Sequence, residues 1–432
     1  MNPIVVLGGG LSGLMGASLL SQRGAKTVLL EKEDRLGGLA ASYLIDGQHI
    51  PMTYHHVMDS DVTTLNTIHN LGLEEKLYWK KLKVGFFSQG KFHDFSSSFS
   101  ILRFKPIRLW GRIRFGLLVL RARQKSDWSQ LDGTSVENYC KKAAGKEAYK
   151  LISYIVQAKF AESPGNVSAA WLMSRFGHES KSVSNQFGYL EGGIERIITG
   201  LADYCRKEDC PVKTGAKVTR VKLKDEGVNK VQYEVNGTTR EIRTESVIST
   251  LPIPLLLKTI DDLPKEYRKS LENIKYRSSI CATFALTEKI SPFYWLNVMD
   301  LDKYPFVGVF EHGHLNSELR CPSIMFAVKY LNSTDKFWNK SDKEIIAEFL
   351  PHLSDIFECD IEERLLWWRL HRAQYSTPLF TPDYGKHMPG CASPIQGLYI
   401  GGISRTYPKD RYMGTALKTG TEAAEAALAH DK

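Results

Sequence analysis

The chain has 432 residues, of which 43% are hydrophobic and 24% charged, and it carries a formal net charge of +9. Those proportions belong to a globular protein long enough for two domains, and they exclude a disordered or low-complexity chain. Its seven cysteines (Cys140, Cys205, Cys210, Cys281, Cys321, Cys359 and Cys391) show no C-x-x-C pair or metal-ligand spacing, which argues against a disulfide framework or a metal site and for a reducing compartment.

From the N-terminus, the apolar and β-branched run Ile4 to Leu7 predicts a strand. It is too short for the apolar core of a signal peptide. No window reaches the roughly 18 uninterrupted apolar residues of a membrane span, so a cytoplasmic protein is expected. The chain then turns through Gly8-Gly9-Gly10 and enters a helical stretch, Leu11 to Arg23. A second apolar run, Thr27 to Leu30, ends on Glu31. Gly8, Gly10 and Gly13 form G-x-G-x-x-G between the predicted strand and helix. Glu31 follows Gly13 by 18 residues, close to the roughly 20 expected for an acid that holds a ribose hydroxyl. Gly8 allows the tight turn, Gly10 lets the backbone approach a pyrophosphate, and Gly13 lets the helix pack on the strand. The helix start at Leu11 and Ser12 then meets phosphate charge with free N–H groups. These features predict a dinucleotide site, and a second glycine pair, Gly37-Gly38, follows in EKEDRLGGLAAS (31–42).

Further along, DGQHIPMTYHHVMDSD (46–61) carries Tyr54-His55-His56. Between Arg103 and Arg123 stand seven basic residues and no acid, with Trp110, Ile113, Leu117 and Leu120 at helical spacing. Three readings of this segment compete: a helix with its apolar stripe in the core and solvated arginines, peripheral contact with an anionic membrane, and attraction of an anionic ligand. No basic and aromatic reader motif points to nucleic acid. Lys159, if buried, is a candidate base through a depressed pKa, against the usual solvated lysine. Arg175 and Tyr189 are candidates for binding an anionic or polar substrate. FVGVFEHGH (306–314) sets Glu311 beside His312, either as a base pair or as ordinary strand-end residues. Trp367 and Trp368 in a predicted strand read as core first and pocket wall second. Tyr407, Asp410 and Arg411 precede a long C-terminal helix; Arg411 either pairs with Asp410 or holds a substrate phosphate.

Glu31-x-x-x-Arg35-x-Gly37-Gly38, running on through Leu39-Ala40-Ala41-Ser42, resembles the extended fingerprint of FAD enzymes of the amine oxidase group. That group includes monoamine oxidases, protoporphyrinogen oxidases and phytoene desaturases, and more distantly UDP-galactopyranose mutases. The resemblance implies noncovalent FAD, with Glu31, Lys32, Arg35, Leu39 and Ala40 beside it and the second glycine pair passing close to its pyrophosphate. It also implies that the 46–61 segment runs beside the isoalloxazine ring, with Pro51 where the family has an acid, and that His55 or His56 faces the ring while the other packs. FGYLEGGIERIITGLADYC (187–205) resembles the family's glycine-pair lead-in to a helix. The runs Ala216 to Leu223 and Val231 to Val235 resemble its adenine-side hairpin, with Val218 at the adenine, and ESVISTLP (245–252) resembles the strand that brings Thr250 back to the nucleotide sheet. Near the C-terminus, GLYIGGISRTYPKDRYMGTAL implies Gly401-Gly402 and a helix start at Met413, Gly414 and Thr415 against the flavin. Lys159 falls where related proteins line the cavity.

The implied fold is α/β, a Rossmann-like FAD-binding domain of the glutathione-reductase type interleaved with an α+β substrate domain. The expected boundaries are 1–60, 190–262 and 385–432 for FAD, and 61–189 and 263–384 for a small-molecule or lipid-linked substrate. The expected function is FAD-dependent hydride removal. A non-redox sugar mutase and a noncatalytic prenyl-binding escort related to GDP-dissociation inhibitors are the alternatives. Membrane contact, if made, is at the inner face through 103–123.

Overall fold

The computed structural model describes residues 2–125, 127–179, 186–225 and 227–430. Ile4–Leu7 and Thr27–Leu30 are adjacent parallel strands, every residue buried, as expected where helices cover both faces of a sheet. Around them the sheet runs Val212–Lys213, Thr27–Leu30, Ile4–Leu7, Val247–Ser249, Leu398–Ile400, all parallel. Three distant stretches of chain therefore build one nucleotide-type sheet. Helix Leu11–Gln22 crosses the last helix, Met413–His430, through small residues: a Cβ on Gly420 would lie 2.0 Å from the Ser12 carbonyl oxygen. The two ends of the chain are in backbone contact.

Beside this sheet lies an antiparallel meander, Lys217–Lys224, Gly227–Val235 and Thr238–Arg243. Its second turn is Asn236-Gly237 with both residues at positive φ, the geometry that matches strand twist in a two-residue hairpin. The sequence reading gave two of these strands; the polar third, TTREIR, has no apolar alternation to reveal it.

A second large sheet runs Leu365–Pro378, Tyr276–Leu286, Ser323–Leu331, Gly308–Glu311, Trp295–Val298, Val84–Ser88, Lys91–Asp94. It is antiparallel except between Trp295–Val298 and Val84–Ser88. Helix Asp342–Phe357, opened by a Ser341/Glu344 capping box, buries Ile345, Phe349 and Leu353 against one face with Phe284 and Leu296. The opposite face, carrying Cys281, Phe310, Phe326 and Tyr330, packs on Ile50 and Tyr54. Trp367 joins that second face and Trp368 the first, as alternation along a strand requires.

Helices Leu109–Arg123, Gly145–Phe160 and Ala169–Glu179 form a separate layer. The first of these corrects one sequence reading. Its core stripe is Gly111, Phe115, Leu118 and Ala122, whereas Trp110, Leu117 and Leu120 are exposed.

Candidate active site

The first strand ends at Gly8, whose φ of +102° suits glycine and whose Cβ, if present, would meet Thr250 Oγ1 at 2.7 Å. A Cβ on Gly13 would fall 1.9 Å from the Gly8 carbonyl oxygen, so only glycine lets the helix start directly over the strand. Gly10 is the N-cap, and no side chain caps this helix. A Cβ on Gly10 would meet nothing nearer than 3.9 Å, leaving open approach to the first-turn N–H end of this helix at Leu11 and Ser12. Glu31 is buried, its Oε2 accepting from the Gly9 N–H at 2.6 Å and its Oε1 from the Glu33 N–H at 2.9 Å. Each oxygen keeps lone-pair capacity for a ribose hydroxyl.

The second glycine pair now has a structural cause. Gly37 donates its N–H to the Gly9 carbonyl at 2.8 Å, and a Cβ on Gly38 would press the Gly10 Cα at 3.2 Å. The two glycine turns lie backbone to backbone, with Leu39 and Ala40 in the short 3₁₀ turn that follows. Lys32 and Arg35 pair with Glu33 and Asp34 at the surface. Val218 follows Ala216, whose N–H donates to the Glu31 carbonyl at 2.7 Å, so it stands at the Glu31 end. Thr250 Oγ1 donates to the Leu7 carbonyl at 2.8 Å. Gly402 N–H reaches Ser12 Oγ at 3.0 Å and Thr419 Oγ1 at 3.1 Å, next to Gly401 at the end of its strand. This open backbone cradle, with its helix donors and its acid, fits the pyrophosphate and ribose of FAD.

The last helix starts at Met413, but a carboxylate already occupies its N-terminus. Gly414 N–H donates to Asp61 Oδ2 at 3.0 Å, and a Cβ there would fall 1.8 Å from Asp61 Oδ1. Asp61 also takes the Thr64 N–H at 3.3 Å and its hydroxyl at 2.7 Å, so one carboxylate serves the starts of two helices. Thr415 Oγ1 donates back to the Asp410 carbonyl at 2.9 Å. Sequence reasoning missed Asp61. D-x-x-T is a legible N-cap signal for the helix that follows it, yet nothing in it signals a contact 353 residues away.

Just before that helix, a polar cluster joins the 407–412 loop to two helices and the second sheet. Asp410 Oδ2 pairs with Arg175 Nη1 at 2.7 Å and Lys159 Nζ at 3.3 Å, and its Oδ1 takes the Arg411 N–H at 2.8 Å. Burial pushes the Asp410 carboxyl up, but Lys159 and Arg175 outweigh it and hold the group well below the usual carboxylate range. Arg175 also pairs with Glu179 at 2.7 Å. Burial lowers the Lys159 pKa against the opposing pull of Asp410. The Arg411 Nη2 donates to Tyr330 Oη at 3.0 Å, and its buried Nε has no hydrogen-bond partner among the described residues. Tyr330 Oη also shares a hydrogen bond with Tyr54 Oη at 3.2 Å, and Lys159 Nζ stands 5.3 Å over its ring. Although burial raises the Tyr330 hydroxyl, Lys159 and Arg411 lower it further than burial lifts it. Tyr54 lies flat on Phe310, ring centroids 3.5 Å apart. Lys159, Arg175 and Arg411 against Asp410 and Glu179 leave one formal positive charge, three minus two.

Burial holds both histidines of the 54–56 segment neutral, His55 down to about 4 and His56 to about 3. His55 Nδ1 meets the Thr53 carbonyl at 2.9 Å, and His56 Nδ1 meets Tyr294 Oη at 2.9 Å. Glu311 and His312 are not a base pair. Glu311 is fully buried and spends its oxygens on the Ser291 N–H at 2.7 Å, the Ile290 N–H at 3.1 Å and the Ser323 hydroxyl. His312 sits between Tyr189 and Phe326, with neither ring nitrogen hydrogen-bonded among the described residues. Tyr189, expected as a candidate for binding an anionic or polar substrate, is instead core beside His312.

Compared with known proteins, a family model described as flavin containing amine oxidoreductase matches residues 11–428. The 15-cis-phytoene desaturase of Arabidopsis thaliana is 23% identical across 95% of this chain and 77% of its own. Among solved structures, a protein assigned as a protoporphyrinogen oxidase, from Exiguobacterium sp. 255-15, superposes with a TM-score of 0.79 at 16% identity, covering 100% of this chain and 99% of that one. Cyclohexylamine oxidase from Brevibacterium oxydans IH-35A superposes with a TM-score of 0.76 at 14% identity, covering 100% of both chains.

Proposed function

We propose a reaction site from one premise: the chain belongs to the flavin containing amine oxidoreductase family. It is an FAD-dependent oxidoreductase, and its FAD is noncovalently bound. This favours redox chemistry over the sugar-mutase and escort alternatives. When bound, FAD supplies the hydride acceptor for a C–H bond beside nitrogen, oxygen or a conjugated system.

The FAD-binding portion is assigned to 1–60, 190–262 and 385–432, and the substrate portion to 61–189 and 263–384. The separate origins of the two large sheets support this division. In the reading we favour, the substrate is a small or lipid-linked molecule with an anionic group, and the site faces it with Arg411, Lys159 and Arg175. One observation carries this: the Nε of the half-buried Arg411 side chain is itself buried and without a hydrogen-bond partner among the described residues, beside two further cations. Leaving such a donor without an acceptor costs about 1–3 kcal/mol, which a carboxylate or phosphate oxygen would recover. Asp410 keeps Lys159 and Arg175 in place. Tyr330 Oη, which accepts from Arg411 and is bonded to Tyr54, is the atom assigned to hold a proton during turnover. His55, kept neutral by burial and by the Arg411 charge, stands beside this cluster, while neutral His56 is bonded to Tyr294 Oη. The protein is assigned to the cytoplasm, and no helix of the described residues is long and apolar enough to cross a membrane.

Titration of the FAD-loaded protein with benzoate and with inorganic phosphate, followed by flavin absorbance, tests the anion site. We expect saturable binding of at least one, weakened roughly tenfold to a hundredfold by Arg411→Met at unchanged FAD content. Equal binding by the variant, or no spectral response to either anion, contradicts the reading.

A further inference from the structure

The helix Leu109–Arg123 has two apolar faces, and only one is used. Gly111, Phe115, Leu118 and Ala122 pack inward, close enough that a Cβ on Gly177 would lie 2.7 Å from the Ala122 carbonyl oxygen. At 100° per residue, Leu109, Ile113, Leu117, Leu120 and Trp110 occupy the opposite side of the same helix. Trp110 is 74% exposed, and Phe99 of the preceding helix is 61% exposed. Arg114 and Arg121 run along one border of this outward face and Arg112 and Arg123 along the other. Arg103 covers the Phe99 ring at 4.2 Å.

Of ten large hydrophobic side chains exposed among the described residues, six (Phe99, Leu102, Leu109, Trp110, Leu117 and Leu120) fall between 99 and 120. Isolated exposed leucines are ordinary, but a contiguous apolar strip with a basic rim marks an interaction surface. We propose that this face docks on an anionic lipid bilayer. Its indole and leucines would enter the headgroup boundary while the arginine borders meet lipid phosphates. Charge decides the occupant. No acid interrupts residues 103–123, so a second copy of this face would set arginine borders against one another, whereas an anionic surface complements them. The helix rests on Gly145–Phe160 and Ala169–Glu179, the two helices that carry Lys159 and Arg175. Docking therefore places the helices that carry the polar cluster one layer behind the lipid-facing helix.

Co-sedimentation of the full, FAD-loaded chain with phosphatidylcholine vesicles, with and without phosphatidylglycerol, tests the proposal. Binding is expected only with phosphatidylglycerol and is expected to fall with salt. The Leu117→Glu/Leu120→Glu variant should partition at least roughly tenfold less while keeping its flavin spectrum, and Arg114→Glu/Arg121→Glu should lose the preference for anionic lipid. Failure to bind anionic vesicles at low salt, or equal binding by the leucine variant, overturns the proposal. So does a dimer in solution that the leucine variant dissociates, which would give the face to a second copy.

Discussion

His312 shows how one side chain can tie stability to pH. It is completely buried between Tyr189 and Phe326, and burial holds its pKa down to about 3 against 6.5 in the unfolded chain. A folded pKa below the unfolded one means that the unfolded state binds more protons in that window. Stability is therefore complete above about pH 6.5 and is lost as pH falls towards 3. For one such histidine the loss reaches about 2 kcal/mol at pH 5. Phenylalanine fits the aromatic surroundings and leaves no orphaned ring nitrogen. Unfolding free energies of His312→Phe from urea curves should thus differ less between pH 7 and pH 5 than those of the parent, by about that amount. An unchanged difference would contradict the assignment. At this scale the sequence marked His312 and Glu311 as neighbours of chemical interest. It could not show that the backbone amides of Ile290 and Ser291 already hold Glu311, because those contacts span about twenty residues of intervening chain.

Among the elements, the crossing of the first and last helices depends on Gly420, where a Cβ would stand 2.0 Å from the Ser12 carbonyl oxygen. Backbone cannot yield as a side chain can, so Gly420→Ala should destabilise by about 1–3 kcal/mol and loosen FAD, since Ser12 also holds the Gly402 loop. Gly116→Ala, with nothing within 4 Å in the exposed helix, should be neutral or stabilising by up to about 1 kcal/mol. Denaturation curves for the pair separate a packing cost from a propensity gain, and equal effects would contradict the packing account. The helix that holds Gly116 also shows where periodicity stops being informative. Trp110, Ile113, Leu117 and Leu120 repeat as a core stripe should, and so do Gly111, Phe115, Leu118 and Ala122. Sequence reading chose the larger side chains. The structure buried the stripe containing Gly111 and Ala122, because small residues let neighbouring helices approach closely.

Across the whole molecule, what could be read in advance was what local motifs encode. The glycine turn, Glu31 and the closing Gly401-Gly402 loop each carry their own backbone reason, so their convergence on one parallel sheet followed from the order of motifs. The polar cluster was legible only as separate candidates. Arg411 meets Tyr330 across 81 residues and Arg175 meets Asp410 across 235, and no local pattern records such pairings. In the apolar strand SIMFAVKYL, alternation sets Tyr330 on the face opposite Lys329 but carries no sign of its partners Arg411 and Tyr54. The most direct test of the account is the visible absorption spectrum of the purified protein, recorded before and after heat denaturation. The account predicts a flavin spectrum and FAD released into the supernatant, whereas a colourless protein that takes up no added FAD would contradict it.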